Sequence, residues 1–249
     1  MKKTFSLIVA AMCLLTAQAQ GLTADQIVQK ADANSRGTTL YSEVTMTIVR
    51  PTWQREISMK MWSKGGDYAL VYVTAPAKDK GQAFLKRGKD LWNWLPSIGR
   101  TVKMSSSVMG QSWMGSDFTN DDMVKESSNV NDHTHTLLGS ESVDNQDCYK
   151  ILLTPKPNAA VVWGKVIAWI TKKDFVEVKI EFYDDDGSLV HTYFGKNIKT
   201  FGSHKIATQL EVVPADKPNQ KTVMTMQNCV FDKPINDNFF SLQNLTKVK

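Results

Sequence analysis

The feature that most limits how this chain can fold is a two-residue alternation of apolar and polar side chains. In Leu40–Val49, the residues Val44, Met46 and Ile48 alternate with Glu43, Thr45 and Thr47. In Trp53–Trp62, Ile57, Met59 and Met61 alternate with Glu56, Ser58 and Lys60. Asp174–Tyr183 repeats the pattern, with Val176, Val178, Ile180 and Phe182 set against Glu177, Lys179 and Glu181. Only an extended strand sends successive side chains to opposite faces, so each run predicts antiparallel sheet with one face hidden from water. Tyr68–Ala75 differs: Leu70 and Tyr72 stand opposite Val71 and Val73, so its outer side also needs a cover. Further strands are predicted at 135–143, 148–154, 162–171, 189–195, 205–213 and 222–231, with Asp186-Gly187 as the clearest hairpin turn. Roughly eleven strands at this spacing read as a barrel or a sandwich.

Two short helices interrupt the strands. Thr23 with Gln26, and Thr119 with Asp122, are capping pairs that predict helices over 23–35 and 119–127. A terminal helical turn is predicted at 236–240.

The stretch Lys80–Asp122 is unlike the rest. It carries Trp92, Trp94 and Trp113 with Met104, Met109 and Met114, yet is broken by Pro96, Gly99, Gly110, Gly115 and the run Ser105–Ser107. Two strands, 82–87 and 90–95, open it around the turn Arg87-Gly88-Lys89-Asp90. A large apolar content beside loop-forming residues suggests a wall followed by a movable cover. Met fills irregular space and suits surfaces that accept variable partners. For any one Met, core filler is the simpler account, but Met109 and Met114 lie between glycines and serines.

The run KGQAFLKRGKDLWNWLPSIGRTVKM, followed by SWMGSDFTNDDM, resembles the LolA-like family of outer-membrane lipoprotein-sorting proteins, with a fainter similarity at Asn238–Leu242. The resemblance implies a single antiparallel half-open β-barrel with helices as a lid and acyl chains bound inside. It also implies cargo handed from an inner-membrane exporter to an outer-membrane acceptor.

Residues 1–19 fit a cleavable signal peptide: Lys2-Lys3, an apolar run over 5–15 and the site Ala17-Gln18-Ala19. A lipoprotein signal at Cys13 fits less well, because Met12 stands where a small residue is required. The domain expected is then 20–249, exported to the periplasm. Removing Lys2 and Lys3 lowers the formal net charge from +5 to +3. The segment 78–103 carries +5 and the rest of the mature chain −2, and Lys86, Arg87, Lys89 and Arg100 form a candidate patch for anionic headgroups or an acidic partner. Protection of a strand edge explains the same charges equally well. Export argues against nucleic acid as a partner. Cys148 and Cys229 both fall in predicted strands, and an oxidising compartment leaves their pairing open.

Candidate chemistry is sparse. His133 and His135 are two metal ligands at most, without a clear third. Gly110-Gln111-Ser112-Trp113-Met114-Gly115 misses the nucleophile-elbow spacing, and Asp184–Gly187 is a turn, not a calcium loop. No catalytic residue, metal or cofactor is expected. The reading is a monomeric periplasmic carrier of a lipoprotein or lipid, in transient contact with membranes. Its groove is expected at Val44, Met46, Ile48, Ile57, Met59, Met61, Leu70, Tyr72, Trp92 and Trp94, and its lid at Met109, Trp113, Met114, Phe118 and Met123. The alternative is a non-catalytic accessory or sensor subunit of an envelope exporter that grips a protein partner in the same groove.

Overall fold

A computed structural model describes residues 21–125, 129–157, 159, 161–217 and 219–249. The signal peptide expected at 1–19 and the end of the helix expected at 119–127 lie outside the described residues. The chain forms helix α1 (Ala24–Arg36) and then strands β1 (Thr39–Val49), β2 (Gln54–Lys64), β3 (Tyr68–Ala75), β4 (Ala83–Arg87), β5 (Asp90–Leu95) and β6 (Arg100–Lys103). After a long crossing segment come β7 (His133–Val143), β8 (Gln146–Pro155), β9 (Lys165–Thr171), β10 (Glu177–Tyr183), β11 (Leu189–Phe201), β12 (His204–Pro214) and β13 (Lys221–Phe231). A 3-10 turn (Asp237–Phe240) and the single turn α2 (Leu242–Leu245) end it.

All strands join one antiparallel sheet in the order β6-β5-β4-β3-β2-β1-β13-β12-β11-β10-β9-β8-β7. The half-open barrel of roughly eleven strands is mainly β and antiparallel as expected, but among the described residues it has thirteen strands in a sheet that does not close, since β6 and β7 remain unjoined edges. Short runs such as Arg100–Lys103 carry no alternation of their own and become strands only because a neighbour offers them a hydrogen-bonding edge. The sequence-adjacent hairpins account for every pairing except β1 with β13, which brings the two ends of the domain together.

This topology has one consequence for the site. The chain leaves the sheet at edge β6 and re-enters it at the opposite edge β7, so the segment between them, described at 104–125 and 129–132, crosses a face of the sheet. That crossing buries Met109, Trp113, Phe118 and Met123 against the inner face. Helix α1 buries Ile27, Val28 and Ala31 on the same face, after a capping box in which the Thr23 hydroxyl and the Gln26 side chain satisfy each other's backbone N–H. His135 ties β7 to Asp25 of α1 and to the Asn129 carbonyl, and Asn34 hydrogen-bonds both the backbone N–H and the carbonyl of Lys205.

The outer face is covered over β2–β5 by the C-terminal segment, where Phe240 and Leu245 are buried with Leu70, Tyr72, Ala83 and Leu85. This is the cover that the two-sided apolar composition of β3 requires. Cys148 and Cys229 are both free and buried, on β8 and β13, which are not neighbours in the sheet.

Candidate functional site

The inner face is built as rows across the sheet. Register pairs Met59 with Val44 and Val44 with Met226, then Ile57 with Met46 and Met46 with Met224. Directly opposed residues of antiparallel strands share a face, so these rows are continuous apolar ground. Val71 pairs with Met61 and Phe84, which places it on the same face. Leu70 pairs with Trp62 and Leu85, and Leu85 with Trp92. Leu70, Tyr72, Trp92 and Trp94 are therefore corrected: they belong to the outer face under the C-terminal segment, and Val71 and Val73 take their place inside. Sequence alone could not choose between two apolar faces of β3; the pairing partner decides.

A cavity of about 350 Å³ opens on the inner face between α1 and the crossing segment. Of the expected groove residues, Val44 and Met61 line it. Met46, Ile48, Ile57 and Met59 lie in the same apolar cluster, fully buried, but outside the cavity lining. Of the expected lid residues, Phe118 and Met123 line the cavity, Met109 and Trp113 are buried in the cluster, and Met114 packs half-buried against it. Residues that sequence reading missed complete the lining: Trp163, Phe175, Phe182, Tyr193, Leu210 and Met224 among them. Only for Phe182 was the signal present, in the alternation of β10, where it faces the cavity with Ile180.

Polar groups hold the crossing segment against the sheet. Arg50 makes a two-pronged ion pair with Asp117, at 2.9 and 3.0 Å, and donates to the Gly115 carbonyl at 3.1 Å. The Thr222 hydroxyl donates to Asp117 at 2.6 Å and accepts from its backbone N–H at 3.0 Å. Arg55 donates to the Met114 carbonyl at 3.3 Å and pairs with Asp79. Inside the loop, the Trp113 backbone N–H donates to the Phe118 carbonyl at 2.8 Å, and the Ser116 hydroxyl donates to the Trp113 carbonyl at 2.7 Å. The glycines Gly110 and Gly115 therefore serve a defined turn, with Gly115 at φ +80°. Trp113 is fully buried with its ring centroid 5.3 Å from that of Phe84, and its indole N–H has no hydrogen-bond partner. Thr119 and Asp122 cap the turn that follows, as their spacing predicts, but it is a π-helical turn over Asp121–Lys125.

Two buried titratable groups stand at the cavity's aromatic wall. Burial pushes the Tyr193 phenol well up, and the carboxylates of Asp122, Asp117 and Asp121 add to the shift. Burial pushes His191 down to about 4, with Asp117 opposing. His191 and Tyr193 stack, with centroids 5.2 Å apart. Nothing here pairs a nucleophile with a base, and no group of three or more metal-ligating side chains occurs among the described residues.

The basic patch is only partly a surface. Arg87, Lys89 and Arg100 are exposed, whereas Lys86 is corrected to a buried residue whose ammonium donates to the Gly66 carbonyl. Lys103 pairs with Asp90 at 2.7 Å on the same edge, beside exposed Ile98 and Val102.

Comparison with known proteins adds to this geometry. A family model described as "Uncharacterized protein" matches residues 65–247. No curated protein matches. A DUF1329 family protein from Desulfovibrio piger is 26% identical, with TM-score 0.82 over 89% of this chain and 97% of that one. A LolA superfamily protein from Nitrosomonas europaea is also 26% identical, with TM-score 0.78 over 90% and 100%. A domain from Vibrio parahaemolyticus named for outer membrane lipoprotein sorting shares the fold, at 22% identity and TM-score 0.79 over 90% and 98%. With the match over residues 65–247 and these structures of the same fold, the chain belongs to the LolA-like family.

Proposed function

We propose that the protein is a non-catalytic carrier of the cell envelope that holds the acyl chains of a lipid or lipoprotein in its inner groove. The observation that carries this reading is the cavity of about 350 Å³ on an apolar sheet face, roofed by helix α1 and the crossing loop instead of a second sheet. Its size falls within the roughly 300–1,000 Å³ usual for apolar ligand pockets. Each buried CH2 contributes about 0.8 kcal/mol, so a few chains suffice for transit through water. The names of its relatives support the ligand class, one being a LolA superfamily protein and another named for lipoprotein sorting.

In this mechanism Trp113, Met114 and Phe118 occupy the groove when it is empty, and arriving chains displace them. The lone indole N–H supports this. A buried donor without a partner costs about 1–3 kcal/mol, a cost that a hydrocarbon chain in the same space does not incur. Release then follows from movement of the crossing segment, and no covalent step is needed. The expected periplasmic location, the expected exporter and acceptor, and transit toward the outer membrane belong to the same proposal, with Arg87, Lys89 and Arg100 as the surface that meets anionic headgroups or an acidic partner. Native mass spectrometry of protein purified gently from its own periplasm tests it. Bound species with acyl-chain masses are expected. Protein that is ligand-free and also fails to take up a fluorescent fatty acid after delipidation would refute the carrier.

A further inference from the structure

A second space of about 400 Å³ lies between the crossing segment and the paired ends of β11 and β12, and it is open to solvent. Phe118 and Trp163 line both this cleft and the inner groove. Only side chains divide the two at that point. Trp163 meets His191 edge-on at 4.6 Å and Phe182 at 5.4 Å, while Phe118 meets Tyr193 at 5.4 Å. The wall is thus a set of ring contacts, and rings can turn without breaking a strand. Trp163 can sit there because Gly164 follows it: a Cβ at Gly164 would lie 2.5 Å from the Asp184 carbonyl oxygen, so only glycine lets the chain approach so closely.

The cleft is polar, and the charges on its lining are paired. Asp117 is already neutralised by Arg50 and Thr222, and exposed Asp216 faces Lys217 at 3.8 Å. His191 lines the cleft, is only 5% exposed, and leaves its Nε2 without a hydrogen-bond partner. Burial keeps the imidazole neutral at ordinary pH. A neutral imidazole offers one donor and one acceptor, which suits an ester or a hydroxyl better than a phosphate. Leu189, Val190 and Pro214 supply an apolar margin.

We propose that cleft and groove are two compartments of one ligand site: the acyl chain lies in the groove, passes between Phe118 and Trp163, and its uncharged glycerol-ester or hydroxyl head sits in the cleft against His191. The inference rests on the acyl-chain reading of the groove and adds the head group and its place.

The test uses delipidated protein of the full exported chain and three probes. These are 1-monooleoylglycerol, oleoyl lysophosphatidic acid with the same chain and an anionic head, and the purely apolar N-phenyl-1-naphthylamine. Wild type is expected to bind the neutral glyceride more tightly than the anionic lipid. His191→Phe keeps the ring and removes the polar atoms. It should weaken glyceride binding by about three- to tenfold, as for one lost hydrogen bond, and leave the apolar probe unchanged. Val190→Trp fills the cleft from its solvent side, so it should give the same pattern even if the His191 variant folds poorly. Unchanged glyceride affinity in both variants, or equal or tighter binding of the anionic lipid, overturns the two-compartment site. Failure of wild type to bind the apolar probe would instead remove the carrier reading, and this inference with it.

Discussion

Replacing Trp113 with alanine separates a plug from a wall and from plain core. The side chain is fully buried in the inner-face cluster. A Trp of this kind buries roughly 150–250 Å². At about 25 cal/mol per Å², swinging it into water costs about 4–6 kcal/mol. An acyl chain contributes about 0.8 kcal/mol per CH2, so the first five to eight or so methylenes only offset the displaced indole. If Trp113 competes with the ligand, its removal lowers that threshold, and chain affinity should rise at least tenfold, bounded at about a thousandfold to twenty-thousandfold by those 4–6 kcal/mol. Stability should fall at the same time by about 3–5 kcal/mol, since the indole fills the empty groove. The assay is paired: titration with a fluorescent fatty acid, and urea unfolding of the delipidated protein. Weaker binding at unchanged stability would refute the reasoning, because Trp113 would then be a wall residue that the ligand touches. Lost stability with unchanged affinity would make it core alone.

The other expectations concern distinct parts of the molecule. Arg50→Gln breaks a largely buried pair, for which losses of about 3–5 kcal/mol are usual, and should speed hydrogen exchange across 109–119 before it affects the sheet. Met226 lines the cavity half-buried, so Met226→Arg should abolish chain binding with little loss of stability, whereas Gln227→Arg on the exposed face should leave binding intact. His191 is a base whose folded pKa lies below its ordinary value, about 4 against 6.5. The unfolded chain therefore binds more protons between those values, so stability is full above pH 6.5 and declines as pH falls toward 4, by roughly 3 kcal/mol. Chemical denaturation of His191→Phe against wild type checks this; the variant should lack that part of the slope. Reversing the charges of Arg87, Lys89 and Arg100 should cut association with anionic vesicles at low salt, measured by flotation, while Lys86→Glu should chiefly destabilise the β3–β4 region.

The alternation in 40–49 and 54–62 and the caps at Thr23 and Thr119 were readable because they are local. Each needs only the pleat of a strand or the first turn of a helix, whose geometry spans a few residues. The inward direction of Val44, Met46, Ile57 and Met59 followed from the same local rule. The single face expected for Val176, Val178, Ile180 and Phe182 is corrected: a bulge between Glu177 and Lys179 leaves Val176 and Val178 packed with Trp169 and Cys148, and only Ile180 and Phe182 join the inner cluster. What the tertiary structure alone decided is everything that depends on a partner strand. Leu70 and Val71 are equally apolar, and only the pairing of Leu70 with Trp62 and of Val71 with Met61 assigns their faces. Trp92 and Trp94 follow Leu70 outward because the C-terminal Phe240 and Leu245, some 150 residues away, cover that side. Lys86 reads as a surface charge until the Gly66 carbonyl meets it. Arg100–Lys103 is a strand only by virtue of its neighbour, and the roof over the groove exists because β6 and β7 are opposite edges of one sheet. Side-chain chemistry is written along the chain, but which face a strand shows, and what crosses it, is fixed by hydrogen-bond register between residues far apart in sequence.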